Sequence, residues 1–260
     1  MFGVKHIVAL IISVLYIVGG YFLIRKLKQK TVISIALGIG IVSELVKIFS
    51  YIIANEEKLG GFLPKTDLPF HLCSIQIIFL LILILVKHEG IKRVLISFMI
   101  PTCLLGGIIA LFLPTTSALN MWPITIQYFL YHSSIAIFAL RFLLDKEYKL
   151  TIKDYIHCLE VFLVVFFFAI YINSIVNDGE SKINFMYVVN PPMDGLPYLN
   201  KNGGWLAYIL KYIALVLVLA TLVYIVPIII FFKGLASKSK QEKIEIENKE
   251  ANTDTQNIQE

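Results

Sequence analysis

Charge is scarce in this 260-residue sequence: Asp, Glu, Lys and Arg make up 16% of it, against about 25% in an ordinary globular chain. Apolar residues make up 58%. A surplus of that size leaves large exposed apolar patches on any soluble fold, so a soluble enzyme is excluded, and a disordered chain with it. The net charge is only +5, and the basic residues are scattered between apolar runs rather than gathered on one face. Nucleic acid is therefore not an expected partner. Cysteine is scarce too: Cys73, Cys103 and Cys158 are odd in number and show no CxxC spacing, which excludes a disulfide scaffold and a zinc-finger type of site. The five histidines form no HExxH pattern. A metal site built from His71, His132 and Glu44 is a minor alternative; no metal is expected. What remains is a polytopic membrane protein.

A spanning helix needs about 20 mostly apolar residues. Seven stretches qualify: 4–24, 32–53, 69–86, 94–113, 122–144, 155–176 and 205–232. The expected fold is all-α, a seven-helix transmembrane domain over residues 1–236 followed by a polar, disordered cytoplasmic tail over 237–260. The first stretch is too long for a signal-peptide core, lacks an A-x-A site and is followed by a basic stop, so it reads as an uncleaved helix. One set of alternate loops holds Arg25, Lys26, Lys28 and Lys30, then Lys87, Lys92 and Arg93, then Arg141, Lys146, Lys149 and Lys153, then the tail from Lys233. The other loops hold few basic residues. The positive-inside rule then predicts an outside N-terminus and a cytoplasmic C-terminus. The outer segment 177–204 interleaves Pro191, Pro192, Pro197 and Gly195 with Phe185, Met186, Tyr187 and Tyr198. Such a segment is expected to lie on the outer interface or to fold over the bundle as a cap.

Ionisable groups in hydrocarbon are costly, and each is a functional candidate. Glu44 and Lys47 are i,i+3 neighbours that can pair, which leaves open a role in packing alone. In the segment Asp67 to Gln76, Asp67 suits a helix N-cap and Pro69 a first turn. His71 and Cys73 then lie near a helix N-terminus at the outer surface, with Gln76 in the outer half. His132 lies ten residues into the fifth stretch from Trp122, roughly 15 Å deep. These groups are expected to line one polar cavity open to the outer leaflet. His157 and Glu160 fall near the cytoplasmic interface, and Cys103 and Cys158 read as small buried hydrophobes. A thiol at a helix N-terminus has its thiolate favoured, the usual preparation of a nucleophile. His71 and Cys73 are about 200° apart round a helix and do not face one point. The expected base for Cys73 is thus His132, with His71 left to stabilise an oxyanion or bind a phosphate headgroup. A cysteine and a histidine in membrane spans are, by themselves, equally compatible with packing.

The segment Leu68-Pro69-Phe70-His71-Leu72-Cys73-Ser74-Ile75 resembles the LPLHLCSI signature of the bacterial YwaF-type integral membrane proteins. Gly106-Gly107, Ala110 and Leu113-Pro114 resemble their fourth-helix ending, and His132 stands where they have a histidine. Asn184-Phe185-Met186-Tyr187 followed by Pro191-Pro192 resembles their NYMYL…P stretch, and Trp205 the aromatic start of their last helix. The departures are Phe185 in place of a common tyrosine and Phe70 in place of leucine. The resemblance runs over about residues 40–210 and leaves the tail without a counterpart.

YwaF-type proteins are similar to the eukaryotic transmembrane phospholipid acyltransferase family that acylates ether lysophospholipids. The resemblance implies a membrane acyltransferase with Cys73 as nucleophile and His132 as its base, moving a fatty acyl chain between phospholipid and lysophospholipid. It implies a multi-pass protein of the bacterial plasma membrane, with membrane lipids as partners and no soluble cofactor. Glu44 is then expected to orient His132, and Asn184 and Tyr187 to close over the headgroup. The rival expectations are a lipid transporter using Glu44, Lys47 and His132 to bind a headgroup, and a structural subunit whose polar groups only specify packing.

Overall fold

Backbone polar groups in hydrocarbon have to be satisfied within their own segment, and the apolar runs of this chain do so as α-helices. The computed structural model describes residues 3–54, 63–114, 119, 121–180, 182–193, 195–237 and 241. Eight helices are defined among them: α1 (Val4–Ile24), α2 (Gln29–Ala54), α3 (Leu72–Leu85), α4 (Glu89–Phe112), α5 (Trp122–Leu143), α6 (Ile152–Val176), α7 (Gly204–Val223) and α8 (Ile225–Ser237). Six of these, α1, α2, α4, α5, α6 and α7, are long and apolar enough to cross a membrane. The protein is an all-helical, multi-pass membrane protein. Most of the tail expected to be disordered lies outside the described residues.

The burial pattern is that of a protein dissolved in lipid. On α1 the buried residues are His6 and Ser13, while Val4, Leu15 and Leu23 point outward. Gln76, Ser97, His132, Ser133 and Asn173 are buried, whereas Phe167, Leu206 and Val226 are exposed. Polar groups face inward because only the protein offers them partners.

Helices α4 and α5 form the centre. Helices α1 and α2 pack on α5, α6 packs on α4, and α3 sits between α2 and α4; α7 joins the α4 and α6 side. One core gathers Val32, Leu80, Met99, Ile100, Tyr131 and Phe142; a second gathers Phe98, Phe166, Tyr208 and Tyr224.

Two expected spans differ from the structure. The stretch 69–86 is helical only over Leu72–Leu85, 14 residues, or about 21 Å of rise. Leu68 is extended, as the residue before a proline must be, and His71 is extended as well. The N-cap is therefore His71, and Asp67 instead ends a short 3-10 turn, Lys65–Asp67. The stretch 205–232 is broken at Tyr224 into α7 and α8. Pro227 explains the break, since its ring cannot follow a helical carbonyl at Val223, four residues back. The buried Tyr224 hydroxyl fixes the junction by donating to the Ser97 carbonyl at 2.7 Å.

The loops sort into two ends. At the basic end Arg93 of α4 grips Asp154 of α6 with two nitrogens, at 2.6 and 2.7 Å, and also donates to the Lys149 carbonyl. Asp154 simultaneously closes a capping box with Thr151. Arg141 pairs with Asp145 and donates to the Leu27 carbonyl. At the opposite end Lys5 lies over the Trp122 ring, His6 donates to the Leu111 carbonyl at 2.9 Å, and Lys65 pairs with Asp178 at 2.7 Å.

Asp154 is fully buried, with Arg93, Thr151 and Ser97 depending on it, whereas the His157–Glu160 pair is open to solvent. Asp154→Ala is expected to cost about 2–3 kcal/mol, below the full cost for a buried pair because Arg93 is partly exposed. Glu160→Ala is expected to cost less than about 0.5 kcal/mol. Thermal unfolding of the two variants in detergent measures the difference, and equal midpoints would contradict it.

Candidate functional site

The non-basic end holds the candidate residues. Helix α2 supplies Glu44 and Lys47, whose side chains meet at 2.7 Å. Glu44 Oε1, which Lys47 also reaches at 3.0 Å, accepts a hydrogen bond from Ser74 Oγ at 2.9 Å, which ties α2 to the first turn of α3. Cys73 is the residue before Ser74 and is half-buried. The hydroxyl and amide of Ser74 lie beside its sulfur, and Glu44 and Lys47 are within electrostatic reach of it. The Tyr131 hydroxyl of α5 donates to the Cys73 carbonyl at 2.6 Å. Cys103 and Cys158 are buried in the apolar cores.

The linker before α3 and the segment between α6 and α7 close over this group. His71 donates from Nε2 to the Thr66 carbonyl at 3.2 Å, and its ring rests against Phe185 and Tyr187 at 5.3 and 6.1 Å. Tyr187 is within electrostatic reach of the Cys73 thiol. Met186 and Tyr187 both have positive φ, 54° and 56°, in the short turn Phe185–Tyr187. Left-handed backbone at two successive bulky residues is costly and persists only where surroundings fix it. Here the Asn173 amide grips Phe185 through both its N–H and its C=O, at 2.8 and 3.0 Å. The buried Tyr208 hydroxyl lies between the carbonyls of Tyr187 and Asn190.

His132 is buried on α5, with its Nδ1 2.8 Å from the Tyr128 carbonyl. A carbonyl only accepts, so Nδ1 carries the proton and Nε2 the lone pair. The ring packs on Tyr128 and Tyr131 at 4.2 and 5.7 Å. Gly107 lets α4 approach here: a Cβ at that position would stand 2.8 Å from the His132 carbonyl oxygen. Among the described residues no hydrogen bond joins His132 to Cys73 or to Glu44. Tyr131 stands between them, its hydroxyl on Cys73 and its ring on His132. Gln76 donates to Thr102 at 3.0 Å, while its own carbonyl oxygen is buried without a partner among the described residues. Asn184 is engaged by its own loop: its Oδ1 accepts from the amides of Val189 and Asn190, and its Nδ2 donates to the Asn190 carbonyl. No group of three His, Cys, Asp or Glu residues among those described is placed to hold a metal ion, so His71, His132 and Glu44 are not assembled as ligands.

The profile of the TMEM164 family matches residues 1–224. The chain belongs to the TMEM164 family. The TMEM164 match takes in α1 to α7, and with them Cys73, His132 and the closing segment. Searches of curated proteins and of solved structures find no match.

Three residues of the site have no signal in the spacing of the sequence: Tyr131, Asn173 and Tyr208. Each is a polar group inside an apolar helix, and that position is the only clue the sequence offers. Ser74 stands in the YwaF-like segment, but nothing there points to Glu44 as its partner. Asn173→Ala removes three hydrogen bonds and leaves both backbone groups of Phe185 unpartnered, at a cost of about 2 kcal/mol. Limited proteolysis in detergent is expected to cut the 182–204 segment several-fold faster in Asn173→Ala than in the wild type. An unchanged rate would show that the turn holds its shape without Asn173.

Proposed function

We propose that this TMEM164-family protein is an integral membrane acyltransferase that moves a fatty acyl chain between phospholipid and lysophospholipid. The observation that carries the proposal is the setting of Cys73: a half-buried thiol in the opening turn of α3, next to Ser74, under Tyr187 and beside the Glu44–Lys47 pair. Family membership and the YwaF-like Phe70-His71-Leu72-Cys73-Ser74-Ile75 segment support the same reading.

In this mechanism Cys73 attacks the ester carbonyl of a donor phospholipid and becomes a thioester, releasing a lysophospholipid. The hydroxyl of an acceptor lysophospholipid then attacks the thioester, and His132 Nε2 takes its proton. In this reading His71 and Lys47 bind the phosphate of a headgroup entering from this end, and Tyr187 closes over it. Gln76 offers an acceptor one turn below the thiol. An apolar groove of about 690 Å³ at the same end, lined by Val42, Val46, Phe49, Ile53 and Trp122, suits an acyl chain. The same groove is the specific observation that favours the second reading, a protein that binds or transports lipid without chemistry. Such a protein has no use for a thiol.

The reaction is placed at the outer leaflet of the cell membrane, a bacterial plasma membrane by the YwaF resemblance. Helix α3 is the seventh span, its short helix extended by the linker from Lys65. The basic end faces the cytoplasm, with the N-terminus outside.

Two measurements test these statements. In proteoliposomes, Cys73→Ala and His132→Ala are each expected to lower acyl exchange between phospholipid and lysophospholipid by about 100-fold or more, with the double variant little worse. Cys103→Ala and Cys158→Ala keep most of the activity. Wild-type exchange in Cys73→Ala would leave the transporter reading standing. For orientation, a reporter fused after Ser237 is expected to be active only if it is of the cytoplasm-dependent kind; activity of an exterior-dependent reporter there would reverse the topology.

A further inference from the structure

Helix α2 carries a second stripe besides the Glu44–Lys47 pair. Val42, Val46, Phe49 and Ile53 recur at three and four residues, and Glu44 lies about 170° round the helix from them. The stripe is one wall of the groove of about 690 Å³, and Met121 and Trp122 at the start of α5 are the other. The body of α2 therefore stands between the groove and the turn that holds Cys73. Helices α1 and α2 each pack on α5 and hardly touch one another, which leaves Val42, Phe49 and Ile53 more than half exposed.

Three observations say what covers this groove. The first is its length. From Ile53 to Val42 the stripe runs about 16 Å along the helix axis, half of the roughly 30 Å of hydrocarbon in a bilayer. At its inner end the Gln127 amide donates to the Ser43 hydroxyl and ties α5 to α2. A partner's spanning helix needs a seam through both leaflets, whereas one lipid chain needs one leaflet. The second is its lining: among the residues that form it Ser50 alone carries a hydroxyl and none is charged. The third is its mouth. The exposed Lys5 ammonium stands 5.2 Å from the centre of the Trp122 ring, and among the described residues no carboxylate pairs with it. A lysine without an acid, beside an interfacial tryptophan, suits a phosphate at the headgroup level.

We propose that the groove is a binding site for one phospholipid of the leaflet at this end, with an acyl chain along α2 and the phosphate on Lys5. This adds a headgroup contact and a leaflet to the acyl-chain reading of the groove, and it holds with or without chemistry at Cys73.

The test uses the full chain in phosphatidylcholine vesicles with a trace of phosphatidylcholine bearing a diazirine at the middle of one acyl chain. After irradiation the label is located by peptide mass spectrometry. Residues 42–53 and 121–123 are expected to carry several-fold more label than the exposed face of α7 at Leu206, Leu210 and Val218. Lys5→Gln is expected to bring the groove down to the level of that face, and Lys5→Arg to keep the excess. A diacylglycerol with the same photoactive chain lacks the phosphate and is expected to label both faces alike. Val46→Trp fills the groove and removes the excess while leaving Lys5 in place. Cys73→Ala is expected to keep the excess even where acyl exchange is lost. Equal labelling of the groove and α7 in the wild type means bulk lipid only and overturns the site. An excess that survives Lys5→Gln overturns it too, as does a groove labelled less than α7, which would be covered by protein. Loss of the excess in Cys73→Ala overturns the separation of the groove lipid from the thiol.

Discussion

A carboxylate in hydrocarbon must find its partners inside the protein, and Glu44 finds one on its own helix and one on the next. Lys47 neutralises it from α2, and Ser74 reaches it from α3. Leaving a charge of this kind unpaired is worth several kcal/mol, far more than the apolar contacts around it discriminate. The pair therefore fixes how α2 meets α3, and with it where the first turn of α3 stands. Cys73 inherits its position from that contact. The Tyr131 hydroxyl, holding the Cys73 carbonyl, supplies the same constraint from α5.

The same rule organises the remainder of the bundle. Polar side chains buried at helix contacts mark the places where two segments are locked: His6 to Leu111, Asn173 to Phe185, Tyr224 to Ser97 and Arg93 to Asp154. In lipid the apolar surface gives little preference for one arrangement of helices over another, so these contacts and close approaches such as Gly107 against α5 decide it. The lock at Asn173, together with the Tyr208 hydroxyl between the carbonyls of Tyr187 and Asn190, holds the strained turn at Met186 and Tyr187. Strain kept at such expense of hydrogen bonds is a feature of segments that position a group for function.

The membrane class and six of the helices were legible from apolar run length alone, because that signal is local and large. The errors came where a short-range rule competed with a neighbouring one. Asp67 and Pro69 match a helix start, yet the extended residue demanded before Pro69 and the extended His71 delay it to Leu72. Trp205 to Phe232 reads as one apolar run, yet Pro227 divides it. Within the site, Glu44 and Lys47 were visible as an i,i+3 pair. The attachment of Glu44 to Ser74 was not, since no spacing within one helix says which residue of another will face it. Likewise the sequence offered His132 but not its hydrogen bond to Tyr128, which sets Nε2 as the basic nitrogen.

On the acyl-transfer proposal, Cys73 carries the acyl group. The direct measurement is intact-protein mass spectrometry of the purified chain after incubation with phospholipid vesicles. A mass increase of one fatty acyl chain is expected, localised to Cys73 by peptide mapping and removed by neutral hydroxylamine. A chain that turns over lipid yet never carries such an adduct, or carries it on Cys103 or Cys158, would contradict it.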